Sequence, residues 1–158
     1  MVVYIVEQTS DTHFEQNHPE CPDRVTAIRE RLEELQLYQL LTHLKHIVPA
    51  SIQQLLTFHS EKYITSVCQL QEKTREVYKI GGVLVSPCTV DENWNSTYAT
   101  TGTAQDARRA AGKVIALVDT VFHDTNPTAA GLAICRPPGH HASPMLPVTW
   151  CVREPYPS

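Results

Sequence analysis

Two adjacent histidines, His140 and His141, close the segment Arg136-Pro137-Pro138-Gly139-His140-His141-Ala142. Imidazole changes charge near neutral pH, so a histidine pair is a natural source of acid–base chemistry. Two neighbouring rings that are partly buried cannot both be protonated cheaply, because desolvation and like-charge repulsion oppose it together. Their proton affinities therefore separate, leaving one base-like and one acid-like group. The support is stiff: Pro137 and Pro138 hold φ near −65°. Gly139 permits a positive φ or a close backbone approach. For an arbitrary His-His pair the ordinary reading is one ring capping a helix and one in solvent. The proline-stiffened support and the apolar run before it favour chemistry here.

That apolar run, Gly131-Leu132-Ala133-Ile134-Cys135, is short and continuous, as expected of a central parallel strand covered on both faces. In open α/β sheets ligands bind beyond the carboxyl ends of strands, which is where the histidine loop falls. Residues 2–7 (VVYIVE) read as a buried first strand. A long polar loop follows, and a helix is expected from Pro22, with Val25, Ile28, Leu32 and Leu35 on one face. Residues 46–50 (HIVPA) read as a short strand or connector. Ser51 and Gln54 form a Ser-x-x-Gln capping box for a short helix. Ser60 is the expected N-cap of a further amphipathic helix with Tyr63, Ile64, Val67 and Leu70 inward. Residues 81–87 (GGVLVSP) form a turn leading into an apolar stretch. The longest helix is expected from about Trp94 to Phe122, its alanines and glycines allowing close packing. Strands alternating with helices indicate an α/β layered fold with a parallel sheet.

Composition narrows the function. The chain has 158 residues, 42% hydrophobic and 19% charged, with a net charge of −4. It lacks the basic excess of a phosphate-tracking protein, so no direct nucleic-acid binding is expected. The five cysteines, Cys21, Cys68, Cys88, Cys135 and Cys151, contain no CxxC pair. They fit neither a zinc ribbon nor a disulfide scaffold, and an odd count suits a reducing compartment. The first apolar run is too short for a signal peptide or a membrane span. Cytoplasm or nucleus is the expected location, with no membrane partner.

The heptapeptide RPPGHHA (136–142) resembles the signature of the zinc-dependent histone deacetylase family, in the form used by its class II and acetylpolyamine amidohydrolase-like members. Three further stretches agree in order. HPECPDR (18–24) resembles the family's first active-site loop, and FHSEKYI (58–64) its His-x-x-x-Tyr segment. DENWNS (91–96) with AAG (110–112) resembles the helix before the double histidine. The resemblance implies an α/β fold: three-layer, with a mostly parallel sheet of the arginase/deacetylase type, truncated to its N-terminal half. It implies hydrolysis of the acetyl amide of acetyl-lysine in histones or other proteins, with acetylpolyamine as the alternative substrate. His141 would be the general base and His140 its electrostatic or general-acid partner. Asp91 would hold substrate, although a solvated loop carboxylate is an equal reading. Gly139 and Trp150 would line the substrate path, Trp150 in place of a tunnel phenylalanine. His18 and Arg24 would shape the first loop. His13 and His59 read as structural hydrogen bonders, and His43 and His46 as surface residues at a helix end.

The resemblance also implies zinc for the full family domain. The family's metal ligands, an Asp-x-His pair and a further Asp, follow the double histidine. Here the only acidic residue beyond His141 is Glu154, and Tyr156 between two prolines does not replace the family's catalytic tyrosine. The expectation is therefore no metal ligand and no bound zinc in this chain. Residues 1–147 are expected to form the N-terminal part of a deacetylase-like domain. Residues 148–158 are expected to be a divergent tail of the kind an altered reading frame or retained intron produces. Such a chain alone is expected to be inactive and marginally stable. A non-catalytic interaction fragment is the second reading. An unrelated α/β enzyme with a chance Gly-His-His loop is the third, and it requires the other segments to match by accident.

Overall fold

The computed structural model describes residues 1–8, 12–14, 19–69, 88–89 and 98–139. Strand β1 (Val3–Gln8) is followed by helix α1 (Asp23–Glu34), a 3-10 turn (Tyr38–Leu40) and strand β2 (Thr42–His43). Helix α2 (Ile52–Leu56) and a helix α3 over 61–69 come next. Strands β3 (Cys88–Thr89) and β4 (Tyr98–Ala99), helix α4 (Thr103–His123) and strand β5 (Ala130–Cys135) complete the order. The described part of the main sheet runs β2-β1-β5, all parallel, while β3 and β4 form a separate antiparallel pair.

β1 and β5 pair along their whole length, from Val3↔Ala130 to Gln8↔Cys135. Side chains alternate across a strand, so Ile5 and Ile134 point to one face and Val6, Ala133 and Cys135 to the other. On the first face Ile5 and Ile134 meet Val25 of α1, with Leu32, Tyr38 and Leu41 packed around them. α4 covers the second face. Helix, sheet and helix make three layers.

Local sequence accounts for most helix starts. Pro22 precedes α1, where its missing N–H costs nothing. At α2 the Ser51 side chain accepts from the Gln54 amide, and the Gln54 side chain accepts from the Ser51 amide. Ser60 Oγ accepts from the Tyr63 amide at the head of α3. Leu70 and residues 81–87 lie outside the described residues.

Tertiary contacts revise three expectations and decide between the two readings of a fourth segment. α4 starts at Thr103, not near Trp94, because Tyr98–Ala99 pairs with Cys88–Thr89. Thr103 Oγ1 then accepts the Thr100 amide, a side-chain bond that competes with continuing the helix upstream. On α1, Val25 is buried but Ile28 and Leu35 are exposed, so the apolar face is narrower than its spacing suggested. Among the described residues β5 is paired on one side alone, and Ala130–Ala133 are exposed rather than covered on both faces. Residues 46–50 form no strand; β2 lies just before them and includes His43, whose ring packs edge-on against Tyr38.

The connector at 48–50 is held tightly to α4. The Ala50 amide donates to Arg108 O at 2.8 Å, and Arg108 Nε donates to Ala50 O at 2.9 Å. This approach requires Gly112: a Cβ there would collide with Val48 O and lie 2.7 Å from Ala50 N.

Candidate active site

Because β1 and β5 are parallel neighbours, the loops leaving their carboxyl ends emerge on the same side of the sheet. The first loop carries Thr12, His13 and Glu20; the second begins at Arg136. They meet through a buried ion pair. Arg136 Nε donates to Glu20 Oε1 at 2.6 Å, and Nη2 donates to Glu20 Oε2 at 2.7 Å. Nη2 also donates to the His13 carbonyl at 2.8 Å. Arg136 is 2% exposed and Glu20 5%. A bidentate guanidinium–carboxylate pair is both strong and directional. Arg24 lies on the outer side, its Nη1 3.8 Å from Glu20 Oε1 and largely in solvent.

His13 is also buried. Its Nδ1 is 2.8 Å from Thr103 Oγ1, and its Nε2 lies 3.6 Å from Glu20 Oε2. Thr12 Oγ1 donates to Asp106 Oδ2 at 2.5 Å, and Thr100 Oγ1 donates to the Thr12 carbonyl at 2.5 Å. Asp106 also accepts from Arg109 Nη1 at 3.2 Å. Gly102 admits this packing, since a Cβ there would run into the Thr12 side chain. The first loop is thus tied on one side to β5 through Arg136 and on the other to the start of α4.

Beyond Arg136 the chain passes through a cis peptide into Pro137 and reaches Pro138 and Gly139. These residues line an apolar cavity of about 570 Å³, shared with Leu55 of α2, Tyr63 of α3, Ala107 and Ala111 of α4, and Cys135 of β5. Burial pushes the Cys135 thiol up to about 11, with Glu7 adding to the rise and Lys113 opposing it. Burial also raises the Tyr63 phenol above its ordinary range.

Of the residues singled out from sequence, Gly139 is exposed on the cavity rim, with open space where a Cβ would stand. His140, His141, Asp91 and Trp150 lie outside the described residues, as does His18. His13 is a buried structural hydrogen bonder, its Nδ1 on Thr103 Oγ1. Glu20, Arg136, Thr103 and Asp106 were not singled out. Glu20 and Arg136 both sit inside recognised motifs, yet nothing in the chain order pairs two residues 116 positions apart. Among the described residues, no group of three or more His, Cys, Asp or Glu side chains could hold a metal ion, so they do not fit a zinc site.

The histone deacetylase domain model matches residues 18–153. The chain belongs to the histone deacetylase family. It is 32% identical to "Histone deacetylase 14, chloroplastic" of Arabidopsis thaliana, with 89% of this chain and 33% of that protein covered. It is also 32% identical to "Polyamine deacetylase HDAC10" of Rattus norvegicus, with 84% of this chain and 21% of that protein covered. The crystal structure of the HDA15 HD domain superposes with a TM-score of 0.70 at 24% identity, covering 94% of this chain and 39% of that one. That likeness establishes the α/β deacetylase fold. The chain spans about a third or less of the length of the curated relatives it matches. In this family member the buried Glu20–Arg136 pair joins two of the segments by which the sequence resembles its relatives. No helix among the described residues is long and apolar enough to cross a membrane.

Proposed function

We propose that this chain carries the histidine-bearing part of a deacetylase site that hydrolyses the acetyl amide of acetyl-lysine. The observation that supports this reading most is the placement of Arg136–Gly139. The segment leaves the carboxyl end of β5, is clamped by Glu20, and borders an apolar cavity. Such a position suits a ligand site in a parallel α/β sheet. In this reading His141, two residues beyond Gly139, takes the proton of the attacking water and returns one to the leaving amine. His140 supplies the neighbouring positive charge or proton. Gly139, Trp150 and Asp91 contact substrate. An apolar wall formed by Tyr63, Ala107 and Ala111 suits the methylene stem of a lysine or a polyamine.

An acetylated protein, histone included, is the substrate we favour; an acetylpolyamine is the alternative. Cytoplasm or nucleus is the proposed compartment. Zinc would supply Lewis-acid activation of the acetyl carbonyl and of water in a complete site. For these 158 residues alone we expect neither bound zinc nor turnover. The described residues do not make a metal cluster, and Glu154 is the only acid after His141. Residues 1–147 are the proposed deacetylase-like unit, with 148–158 divergent.

The test is metal content together with turnover of acetyl-lysine and acetylpolyamine by the purified chain. No zinc and no turnover support an incomplete site. Stoichiometric zinc with turnover would show that ligands come from residues given other roles here. A second reading, a non-catalytic interaction fragment, is favoured by one observation. Exposed Ala130–Ala133 of β5 and exposed Val114, Val118 and Phe122 of α4 leave apolar surface uncovered.

A further inference from the structure

We propose that the apolar cavity bordered by α2, α3, α4 and the end of β5 binds a monocarboxylate with an unbranched alkyl chain, its carboxylate on Arg108 and its chain along α4. The proposal goes beyond the deacetylase reading and does not depend on it. The cavity, about 570 Å³, falls in the size range of small-molecule sites, and its wall is mostly apolar. Along α4 that wall runs from Ala104 to Ile115, about 16 Å at 1.5 Å per residue. Alanines at 104, 107, 110 and 111 keep it low, because none carries a side chain beyond Cβ.

Charge selects the head group. Among the described residues that line the cavity, Arg108 is the one permanently charged side chain, and no aspartate or glutamate is among them. Its neighbour Arg109 pairs with Asp106, whereas Arg108 has no carboxylate partner among the described residues. Arg108 Nε donates to the Ala50 carbonyl at 2.9 Å, which fixes the plane of the guanidinium. The two Nη groups make no hydrogen bond among the described residues, and together they match the two oxygens of one carboxylate. The β5 side of the cavity disfavours charge. Burial there pushes the Cys135 thiol up to about 11. Leu117 packs on Gly131 of β5, and Arg108 stands nine residues before it, about two and a half helical turns, so it projects from the side of α4 away from β5. A ligand therefore lies with its alkyl end toward Cys135 and its charge at Arg108, since an unpaired charge is costly in apolar surroundings. A lysine stem against Ala107 and Ala111 and this alkyl chain would exclude one another.

The test is calorimetric titration of the purified chain with hexanoate, octanoate, decanoate and decanol, each below its aggregation limit, with far-UV circular dichroism reporting the fold of each variant. Binding should be saturable at one per chain and strengthen about fourfold per methylene. Arg108→Gln should weaken decanoate about tenfold and leave decanol unchanged. Ala111→Leu, which fills the cavity from α4, should weaken both. Saturating decanoate should slow alkylation of Cys68, which lines the cavity, and leave Cys21 unaffected. Four results would each overturn the proposal: no saturable binding, no gain with chain length, equal loss of decanoate and decanol in Arg108→Gln, or unchanged Cys68 labelling. If the variants unfold, the chain-length series and the Cys68 labelling decide in wild type. None of these readouts uses zinc or turnover, so failure of the deacetylase reading is recognised separately by the activity assay.

Discussion

Gly112→Ala tests how α4 is seated. Helix propensity alone favours alanine in a helix interior by about 1 kcal/mol. The structure opposes it. The new Cβ would collide with Val48 O and lie 2.7 Å from Ala50 N and 2.9 Å from the Pro49 carbonyl carbon. All three are backbone atoms and cannot rotate aside. Relief requires α4 and the 48–50 connector to part by roughly 1 Å, back to ordinary contact distance. Two hydrogen bonds cross that gap, Ala50 N to Arg108 O at 2.8 Å and Arg108 Nε to Ala50 O at 2.9 Å. A parting of that size breaks both, at about 1 kcal/mol each and more for a buried amide left unpaired. Overpacking adds about 1–3 kcal/mol. Net of the propensity gain, the substitution should destabilise by about 2–4 kcal/mol. For a domain of this size that is a fall in Tm of roughly 5–15 °C. Thermal and urea unfolding followed by circular dichroism would measure it, with Val118→Ala on the exposed side of α4 as a near-neutral control within about 0.5 kcal/mol. A Gly112→Ala chain as stable as wild type would refute this seating of α4.

Three further outcomes follow from the same geometry. Thr103→Val keeps volume but removes the acceptor of the Thr100 amide and the hydroxyl beside His13 Nδ1; urea unfolding should show a loss of about 1–3 kcal/mol. Arg24→Ala should cost less than about 1 kcal/mol, because the side chain is 57% exposed and its pairing with Glu20 is screened by water. Cys135, with its thiol pushed up to about 11, should resist alkylation at pH 8 while exposed Cys68 reacts; equal labelling of the two would contradict the burial. The linked pH dependence has a definite sign. The raised thiol holds its proton more tightly in the folded chain, so its contribution is full below the ordinary thiol value of 9.0 and is lost as pH climbs toward 11. A Cys135→Ser chain should lack that alkaline loss in urea unfolding.

Much of the fold could be read from local pattern. The β-branched run at 2–7 and the apolar run at 131–135 became the paired strands β1 and β5. The Ser51/Gln54 box and Ser60 marked two helix starts, because capping is satisfied within four residues of chain. Elements set by distant partners were less legible. The start of α4 depended on Tyr98–Ala99 pairing with Cys88–Thr89, and Ile28 stayed exposed although its spacing matched Val25. Helical period tells which residues share a side, but how wide a stripe is covered depends on what lies opposite.

The family and the histidine loop were legible because RPPGHHA is a contiguous string, and short strings keep their meaning without a fold. The clamp beneath that loop was not. Glu20 and Arg136 become neighbours only because β1 and β5 lie side by side and parallel, which brings both carboxyl ends to one edge. His13 meets Thr103 and Asp106 meets Thr12 because α4 packs its first turn against the first loop, across 90 residues or more. Sequence by itself determined the family, the α/β alternation and which residues could do chemistry. Which buried charges compensate one another was decided by the tertiary structure alone. A charge is tolerated in the interior only where another meets it, and that meeting is a property of strand order, not of chain order.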